Sequence, residues 1–127
     1  MRNYRDLQVW QRGHNLTVVI YKLTQHFPAE ERYGLTSQMR RSAASIPANL
    51  AEGCGRRADG EMARYVQIAM GSGSELSYHL LLAKDLGLLT SADYVAADSE
   101  VSRILRMLSS FSQKLRSSRT QPVRVEQ

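Results

Sequence analysis

The chain has 127 residues and a formal net charge of +5, with 17 lysine and arginine residues against 12 acidic ones. Hydrophobic residues make up 43% of it, which is enough for one globular domain with its own core. The single cysteine, Cys54, excludes an internal disulfide and a multi-cysteine zinc site. No apolar run reaches the roughly 18 residues of a membrane span, and residues 1–6 lack a signal-type apolar segment. We therefore expect a cytoplasmic protein without membrane contact, whose charge permits nucleic-acid binding but does not require it.

The first predicted helix covers residues 5–26. Apolar residues recur there every three or four positions, in two rows, and His14 falls in one of these inner rows. Phe27-Pro28 ends the helix, because the residue before a proline is disfavoured in helical geometry. The acidic pair Glu30-Glu31 then indicates a short helical turn.

The second predicted helix, residues 35–54, is the one around which we expect the others to be arranged. Its apolar stripe is flanked by small residues that neighbouring helices can approach closely, and Pro47 removes one of its hydrogen bonds. Its few polar groups should then lie among neighbours, so we expect Arg40 and Arg41 to pair with Glu52 or with acids elsewhere. The candidate positions for structural roles or for an interface between copies are Arg40, Arg41, Ala44, Pro47, Ala48, Asn49, Ala51 and Glu52.

Two further helices complete the predicted fold. The third covers residues 60–86, and its segment 71–74 (GSGS) predicts close approach by another backbone, because each glycine costs a helix about 1 kcal/mol. No strand precedes this segment and no Gly-Lys-Ser/Thr follows it, so a phosphate-binding loop is not favoured. The fourth helix covers residues 91–116, and a basic tail, residues 117–127, is expected to be disordered. The result is an all-α, antiparallel, up-down-up-down four-helix bundle.

The search for catalytic or metal-binding residues gives no consistent site. Di-iron bundles need Glu-x-x-His pairs, and none occurs. Glu75 and His79, four positions apart, predict a surface hydrogen bond, and His14 is interpreted as a core or interface histidine. Cys54 has basic neighbours that could lower its pKa, but no base is placed to activate it, so a structural cysteine is favoured. We predict no catalytic residues, no metal and no cofactor, and therefore no enzyme.

Several short motifs follow one another along residues 4–115. They are residues 6–11 (DLQVWQ), 27–28 (FP), Glu31, 33–35 (YGL), 38–43 (QMRRSA), 45–53 (SIPANLAEG), 71–72 (GS) and 75–76 (EL). Together they resemble the four-helix-bundle proteins encoded by intervening sequences of bacterial 23S ribosomal RNA. Gly13, where alanine is usual, and Leu50, where isoleucine is usual, are small departures from the pattern.

The resemblance implies a small cytosolic bundle that assembles into a homopentameric ring. Related proteins, the accessory variability proteins of diversity-generating retroelements, share this assembly, bind nucleic acid and partner a reverse transcriptase. Carried over to this chain, the resemblance makes five arginines worth testing: Arg40, Arg41, Arg56, Arg57 and Arg64.

Two functional hypotheses follow. The first is a non-enzymatic homo-oligomer that binds RNA or DNA through a basic surface of the ring. The alternative is a protein-interaction scaffold or accessory subunit, for example to a reverse transcriptase, in which Arg40 and Arg41 are structural. The candidate nucleic-acid-binding residues of the first hypothesis are Arg56, Arg57, Arg64, Arg103, Arg106, Lys114 and Arg116.

Overall fold

The computed structural model describes residues 2–120, with side chains as far as Ser117. Within that range the chain forms two short 3-10 turns and four α-helices and no strand, which confirms the predicted all-α class. The turns are Tyr4–Asp6 and Ala29–Glu31, and the helices are α1 Gln8–Thr24, α2 Leu35–Cys54, α3 Asp59–Asp85 and α4 Ser91–Thr120. Residues 121–127, most of the predicted disordered tail, lie outside the described residues.

The first helix begins later than its periodicity predicted. Asn3 accepts a hydrogen bond from the Arg5 amide and starts a separate 3-10 turn, and Leu7 is extended with φ −78° and ψ 124°. A side-chain cap of this kind offers the backbone an alternative to the helix. α1 therefore starts at Gln8, and it ends at Thr24, two residues before the predicted boundary.

The second helix has the predicted bounds, Leu35–Cys54, with Pro47 inside it. Gly34 precedes its first turn, and Glu31 Oε1 accepts from the Leu35 amide at 3.0 Å. That contact satisfies one of the donors that a helix N-terminus leaves without a helical acceptor.

Local caps form the connection between α3 and α4. Gly87 has φ 77°, the left-handed geometry that glycine adopts without penalty, and the Leu88 amide returns to the Ala83 carbonyl at 2.8 Å. Thr90 Oγ1 accepts from the Asp93 amide at 3.0 Å, which is half of a capping box at the start of α4. α4 then extends to Thr120, four residues past its predicted end.

All four helices contribute to one hydrophobic core. Of the helix pairs that touch, α2 and α3 pack against each other most extensively, and α1 and α4 least. The side chains that are fully removed from solvent at its centre are Ile20, Met39, Ile46, Leu50, Met62, Val66, Leu76, Leu80, Val101, Ile104 and Leu108.

The glycine pair of α3 has two different environments. A Cβ at Gly73 would lie 2.8 Å from Leu105 Cδ2, so a close approach exists there, but to a side chain of α4 and not to a backbone. At Gly71 a Cβ would meet no described atom within 4 Å. Close packing within one chain therefore explains Gly73 and leaves Gly71 unexplained.

Candidate nucleic-acid interface

The candidate basic side chains lie on two stretches of the fold. One is the α2–α3 connection with the start of α3, and the other is α4 from Arg103 onward. On α4, no acidic residue occurs between Arg103 and Thr120. All seven side chains are exposed: Arg56, Arg57, Arg64, Arg103, Arg106, Lys114 and Arg116.

Contacts across the fold bring parts of these two stretches to the same end of the molecule. Arg2 Nη2 lies 3.2 Å from Asp59 Oδ1 at the start of α3, and the same guanidinium lies 5.8 Å from the centroid of the Phe111 ring on α4. Gln67 Nε2 also donates to Ser112 Oγ at 3.2 Å. The start of α3, which carries Arg64, therefore lies beside the last part of α4, which carries Lys114 and Arg116.

Arg56 is held by one partner on α2 and one on α3. Its Nη2 lies 2.6 Å from Glu52 Oε2 and donates to the Tyr65 hydroxyl at 2.9 Å. The hydrogen bond to Tyr65, followed by the charges of Tyr65 and Glu52, raises the pKa of Arg56 above its usual value. Arg64 lies near the same tyrosine, with its guanidinium 5.7 Å from the Tyr65 ring centroid. Arg57, in contrast, forms no hydrogen bond or ion pair with the described chain.

Two of the α4 candidates lie along its seam with α1 and not beside Arg56. Arg103 lines a polar groove of about 540 Å³, and Lys114 lines the adjoining groove beside Phe111. In the polar groove Arg12 Nη1 lies 3.2 and 3.0 Å from the two carboxylate oxygens of Glu100. Arg103 and Arg106 therefore lie near the middle of the bundle, since Leu105 faces Gly73 in the middle of α3, and the candidates do not form one continuous patch.

Arg12 was not among the sequence candidates, although it is the basic residue of α1 that faces α4. Its position follows from the orientation of α1, which places Val9, Leu16 and Ile20 in the core. Residues three or four positions apart on a helix share a face. Gln8, Arg12 and Asn15 have this spacing, and they line the same groove. The spacing of polar residues in α1 is the signal that could have found it.

The predicted pairing of Arg40 and Arg41 with acidic residues is wrong within the described chain. Arg40 Nε donates to Thr24 Oγ1 at 2.8 Å, and Arg41 Nη2 donates to Gln38 Oε1 at 2.9 Å. Glu52 instead pairs with Arg56. The physical reason is distance, because Glu52 lies about three turns farther along the same helix, which is roughly 17 Å.

The other residues proposed for an interface between copies divide by face. Ala48 is exposed, whereas Ala44 and Ala51 are half-buried. Pro47 is buried and faces α1, because a Cβ at Gly13 would lie 3.5 Å from Pro47 Cδ. Asn49 Nδ2 donates to the Ser45 carbonyl at 2.8 Å, within α2.

The residues considered for chemistry have ordinary structural surroundings. Cys54 is 2% exposed, and burial raises the pKa of its thiol, an effect that the charge of Arg2 only partly offsets. The net pKa is raised, so the expectation that basic neighbours bring it below its usual value is wrong. His14 is exposed and stacks on Trp10 with centroids 5.1 Å apart, so its placement on an inner row is also wrong. Glu75 Oε2 and His79 Nε2 are 3.9 Å apart, too far for the predicted hydrogen bond.

Residues 2–120 contain neither a metal-binding cluster nor a membrane-spanning helix. No cluster of three or more histidine, cysteine, aspartate or glutamate side chains has a geometry suited to a metal ion in this range. Within the same range no helix combines the length and the hydropathy needed to cross a membrane.

Comparison with protein families matches residues 5–110 to the 23S rRNA-intervening sequence proteins. The match covers most of the chain and the whole of α1, α2 and α3. The chain belongs to this family. The resemblance read from the motifs of α1 and α2 is therefore confirmed. A search of curated proteins finds no match.

A solved structure has the same fold as this 23S rRNA-intervening sequence protein. It is the crystal structure of a protein of unknown function from the S23 ribosomal protein family of Bacteroides thetaiotaomicron. The two chains superpose with a TM-score of 0.77 at 23% sequence identity, over 83% of this chain and 95% of the other. At that identity the similarity concerns the fold, and neither comparison indicates a catalytic family.

Proposed function

We propose that this protein is a non-enzymatic homo-oligomer that binds RNA or DNA through the basic end of the molecule. The observation that carries this proposal is the α4 segment from Arg103 onward, with exposed basic side chains and no acidic residue. Arg56, Arg57 and Arg64 lie at the same end as the last part of this segment. Arginine forks suit phosphate oxygens, and phosphate contacts supply most of non-specific nucleic-acid affinity.

The proposed architecture is an antiparallel, up-down-up-down bundle that assembles into a ring, with the pentamer implied by the family resemblance. Contacts between α2 and α3 support the antiparallel arrangement. A Cβ at Gly53, in the last turn of α2, would meet Met62 in the first turn of α3, whereas Ser45 bonds Ser72 farther along both helices, with their hydroxyl oxygens 2.8 Å apart.

The outer face of α2 and α3 is the proposed surface between copies. Ala48 is exposed there, and the space that a Cβ would take at Gly71 is open. Small residues let another chain approach closely, and apolar side chains at an interface gain from burial. Ile68 and Tyr78, on the same outer side of α3 as Gly71, are 41% and 59% exposed. A ring of five such chains would have a net charge of about +25, which favours association with phosphate.

The test of nucleic-acid binding compares two charge-reversal variants of the full chain. Arg56→Glu/Arg57→Glu removes two basic groups from the proposed interface, and Lys22→Glu/Lys84→Glu makes the same charge change at the other end. Binding of a single-stranded RNA and of a duplex DNA is measured at about 50 and about 200 mM salt. We expect the first variant to bind weakly with a smaller salt slope, and the second to bind almost normally. Unchanged affinity in the Arg56→Glu/Arg57→Glu variant would exclude this interface.

The test of assembly uses two alanines in exposed helix positions. Ala48→Glu places a charge on the proposed surface between copies, and Ala92→Glu places the same charge on α4. We expect light scattering to report a smaller species for Ala48→Glu only. If both variants retain the native mass, copies do not meet at the α2–α3 face.

The scaffold alternative is supported by a different observation, the contacts of Arg40. Its guanidinium is held by Thr24 and lies 4.6 Å from the Tyr21 centroid, so part of its role is structural. If nucleic-acid affinity is lost only in variants that dissociate, and never in an assembled Arg56→Glu/Arg57→Glu variant, the ring serves a protein partner.

A further inference from the structure

Two adjoining grooves lie where α1 ends and α2 begins, at the end of the molecule opposite the proposed nucleic-acid interface. Their volumes are about 390 and 370 Å³, and three residues line both of them: Arg32, Thr36 and Arg40. Arg41 lines the second groove. None of the described residues that line either groove is acidic and three are arginines, while the neighbouring carboxylate of Glu31 is bound to the Leu35 amide. Together the two grooves form one corner of the molecule.

Thr36 is the residue that distinguishes this corner from an ordinary basic surface. It is 8% exposed, and its Oγ1 is buried without a hydrogen-bond partner on the described chain. Other buried hydroxyls of this protein donate to carbonyls of the preceding turn, as Thr24 does to Ile20 at 2.7 Å and Ser42 to Gln38 at 2.9 Å. Because buried polar groups are almost always paired, an unpaired hydroxyl on a residue that lines two grooves points to a ligand atom as its partner.

Arg40 is oriented for such a ligand before it binds. Nε donates to Thr24 Oγ1 at 2.8 Å, Nη2 donates to the Tyr21 carbonyl at 3.3 Å, and the guanidinium lies over the Tyr21 ring. These contacts fix the side chain without neutralising it, since no carboxylate of the described residues pairs with it. A positively charged fork held in one orientation loses little entropy when it binds an anion.

The first turn of α2 adds backbone donors to the same corner. Glu31 already accepts from the Leu35 amide, but the next two amides, of Thr36 and Ser37, have no preceding helical carbonyl to reach. The positive end of the helix dipole also favours an anion there.

We propose that this corner is a binding site for a phosphate group, with Arg32 and Arg40 as the charged ligands and Thr36 as a hydroxyl ligand. The phosphate is inorganic phosphate or the terminal phosphate ester of a nucleotide. The site is separate from the basic end of the molecule, and it does not depend on whether nucleic acid binds there.

The test is a titration of the full-length protein with inorganic phosphate at low salt, followed through its backbone amide resonances. We expect the Thr36 and Ser37 amides to shift with saturation. Arg32→Gln should weaken binding by about tenfold or more, because it removes one charged donor. Lys22→Gln is the matched control, since it removes one exposed charge from the same end of α1 and should bind phosphate as the native protein does.

Thr36→Val separates a ligand role from a structural one. Valine has the shape of threonine without its hydroxyl, and the hydroxyl has no partner on the described chain, so this variant should fold normally and bind phosphate several-fold more weakly. The Arg56→Glu/Arg57→Glu variant should leave the phosphate-dependent shifts of the Thr36 and Ser37 amides unchanged, because both arginines lie at the other end of the molecule. Tighter binding of adenosine 5′-monophosphate than of inorganic phosphate would identify the ligand as a nucleotide ester, and equal or weaker binding would identify free phosphate. Native affinity in both Arg32→Gln and Thr36→Val, or an equal loss in Lys22→Gln, would overturn the proposal.

Discussion

Thr17 on α1 donates to the carbonyl oxygen of α2 that Pro47 leaves without a helical donor. The nitrogen of Pro47 has no hydrogen, so the Ala43 carbonyl four residues earlier lacks its helical donor. Thr17 Oγ1 lies 3.1 Å from that carbonyl oxygen and 2.8 Å from the Gly13 carbonyl oxygen of its own helix. One hydroxyl hydrogen therefore serves both helices, and a sequence feature that would weaken α2 becomes a contact between α1 and α2.

The first prediction concerns this contact. Thr17→Val keeps the shape of the side chain and removes the donor, so the Ala43 carbonyl loses its partner. We expect the free energy of unfolding to fall by about 1–2 kcal/mol, the usual cost of leaving a buried acceptor unpaired. Urea unfolding at fixed protein concentration measures the change.

A double-mutant cycle with Pro47→Ala gives the control. Alanine restores an N–H at position 47 that can donate to the Ala43 carbonyl, so in that background Thr17→Val should cost almost nothing. The expected coupling energy is about 1 kcal/mol. Equal costs of Thr17→Val in the two backgrounds would show that the hydroxyl does not compensate for the proline.

The second prediction compares alanine substitutions at two buried helical glycines, Gly13 and Gly53. Both gain about 1 kcal/mol of helix propensity. A Cβ at Gly13 would lie 3.2 Å from Ile46 Cγ2, a contact that a shift of a few tenths of an ångström relieves. A Cβ at Gly53 would lie 2.6 Å from Met62 Sδ and 3.0 Å from Tyr65 Cβ, and the second atom cannot move without its backbone.

We therefore expect Gly13→Ala to change the free energy of unfolding by less than about 0.5 kcal/mol, and Gly53→Ala to lower it by about 1–2 kcal/mol. Thermal unfolding of both variants at one protein concentration compares them directly. A Gly53→Ala protein as stable as Gly13→Ala would mean that α2 and α3 separate at that crossing at little cost.

Features that depend on neighbouring residues in the sequence were predictable, whereas contacts between distant residues were not. The bounds of α2 were predictable because Gly34 and the glycines around Cys54 act on their own neighbours. The partner of Arg40 was not, because Thr24 lies 16 residues away on another helix. His14 was misplaced because it follows Trp10 at helical spacing, and Trp10 packs against the core whereas His14 is exposed.

The candidate sites follow the same division. The exposed arginines of the α2–α3 connection were predictable from charge alone, because long charged side chains are rarely buried. The grooves beside Thr36 were not, since they exist only where the end of α1 meets the start of α2. Their defining feature is an unpaired hydroxyl, which no sequence pattern reports.

The third prediction concerns the pH dependence that Cys54 confers. Burial raises the pKa of its thiol above the usual 9.0, so the unfolded chain loses this proton at lower pH than the folded chain. A group with a raised folded pKa contributes its full stability below the unfolded pKa and loses it as the pH rises. Between about pH 8 and about pH 10 the native protein should therefore lose more unfolding free energy than Cys54→Ala.

Urea unfolding at the two pH values measures the change in unfolding free energy of each protein. Subtracting the two changes removes the contribution of tyrosines and lysines, which both proteins share. Labelling of the native thiol by iodoacetamide at neutral pH should also be slow, because the thiol is protonated and 2% exposed. Parallel pH profiles of the two proteins, or labelling as fast as that of the unfolded chain, would contradict the assigned environment.

The last prediction concerns the ion pair that joins α1 to α4. These two helices have the least contact of any helix pair that touches. Arg12 Nη1 approaches both oxygens of Glu100, whose side chain is 29% exposed, against 35% for Arg12. Arg2 and Asp59, with one contact at 3.2 Å and exposures of 39% and 32%, form a matched comparison. Double-mutant cycles with Arg→Gln and Asp→Asn or Glu→Gln should give couplings below about 1 kcal/mol, because solvent screens half-exposed pairs. The Arg12–Glu100 coupling should be the larger, since two carboxylate oxygens are contacted, and both should shrink in about 1 M salt, where the screening length is a few ångströms. A coupling that survives high salt would indicate that Arg12 stabilises the α1–α4 seam by packing of its side chain and not by its charge.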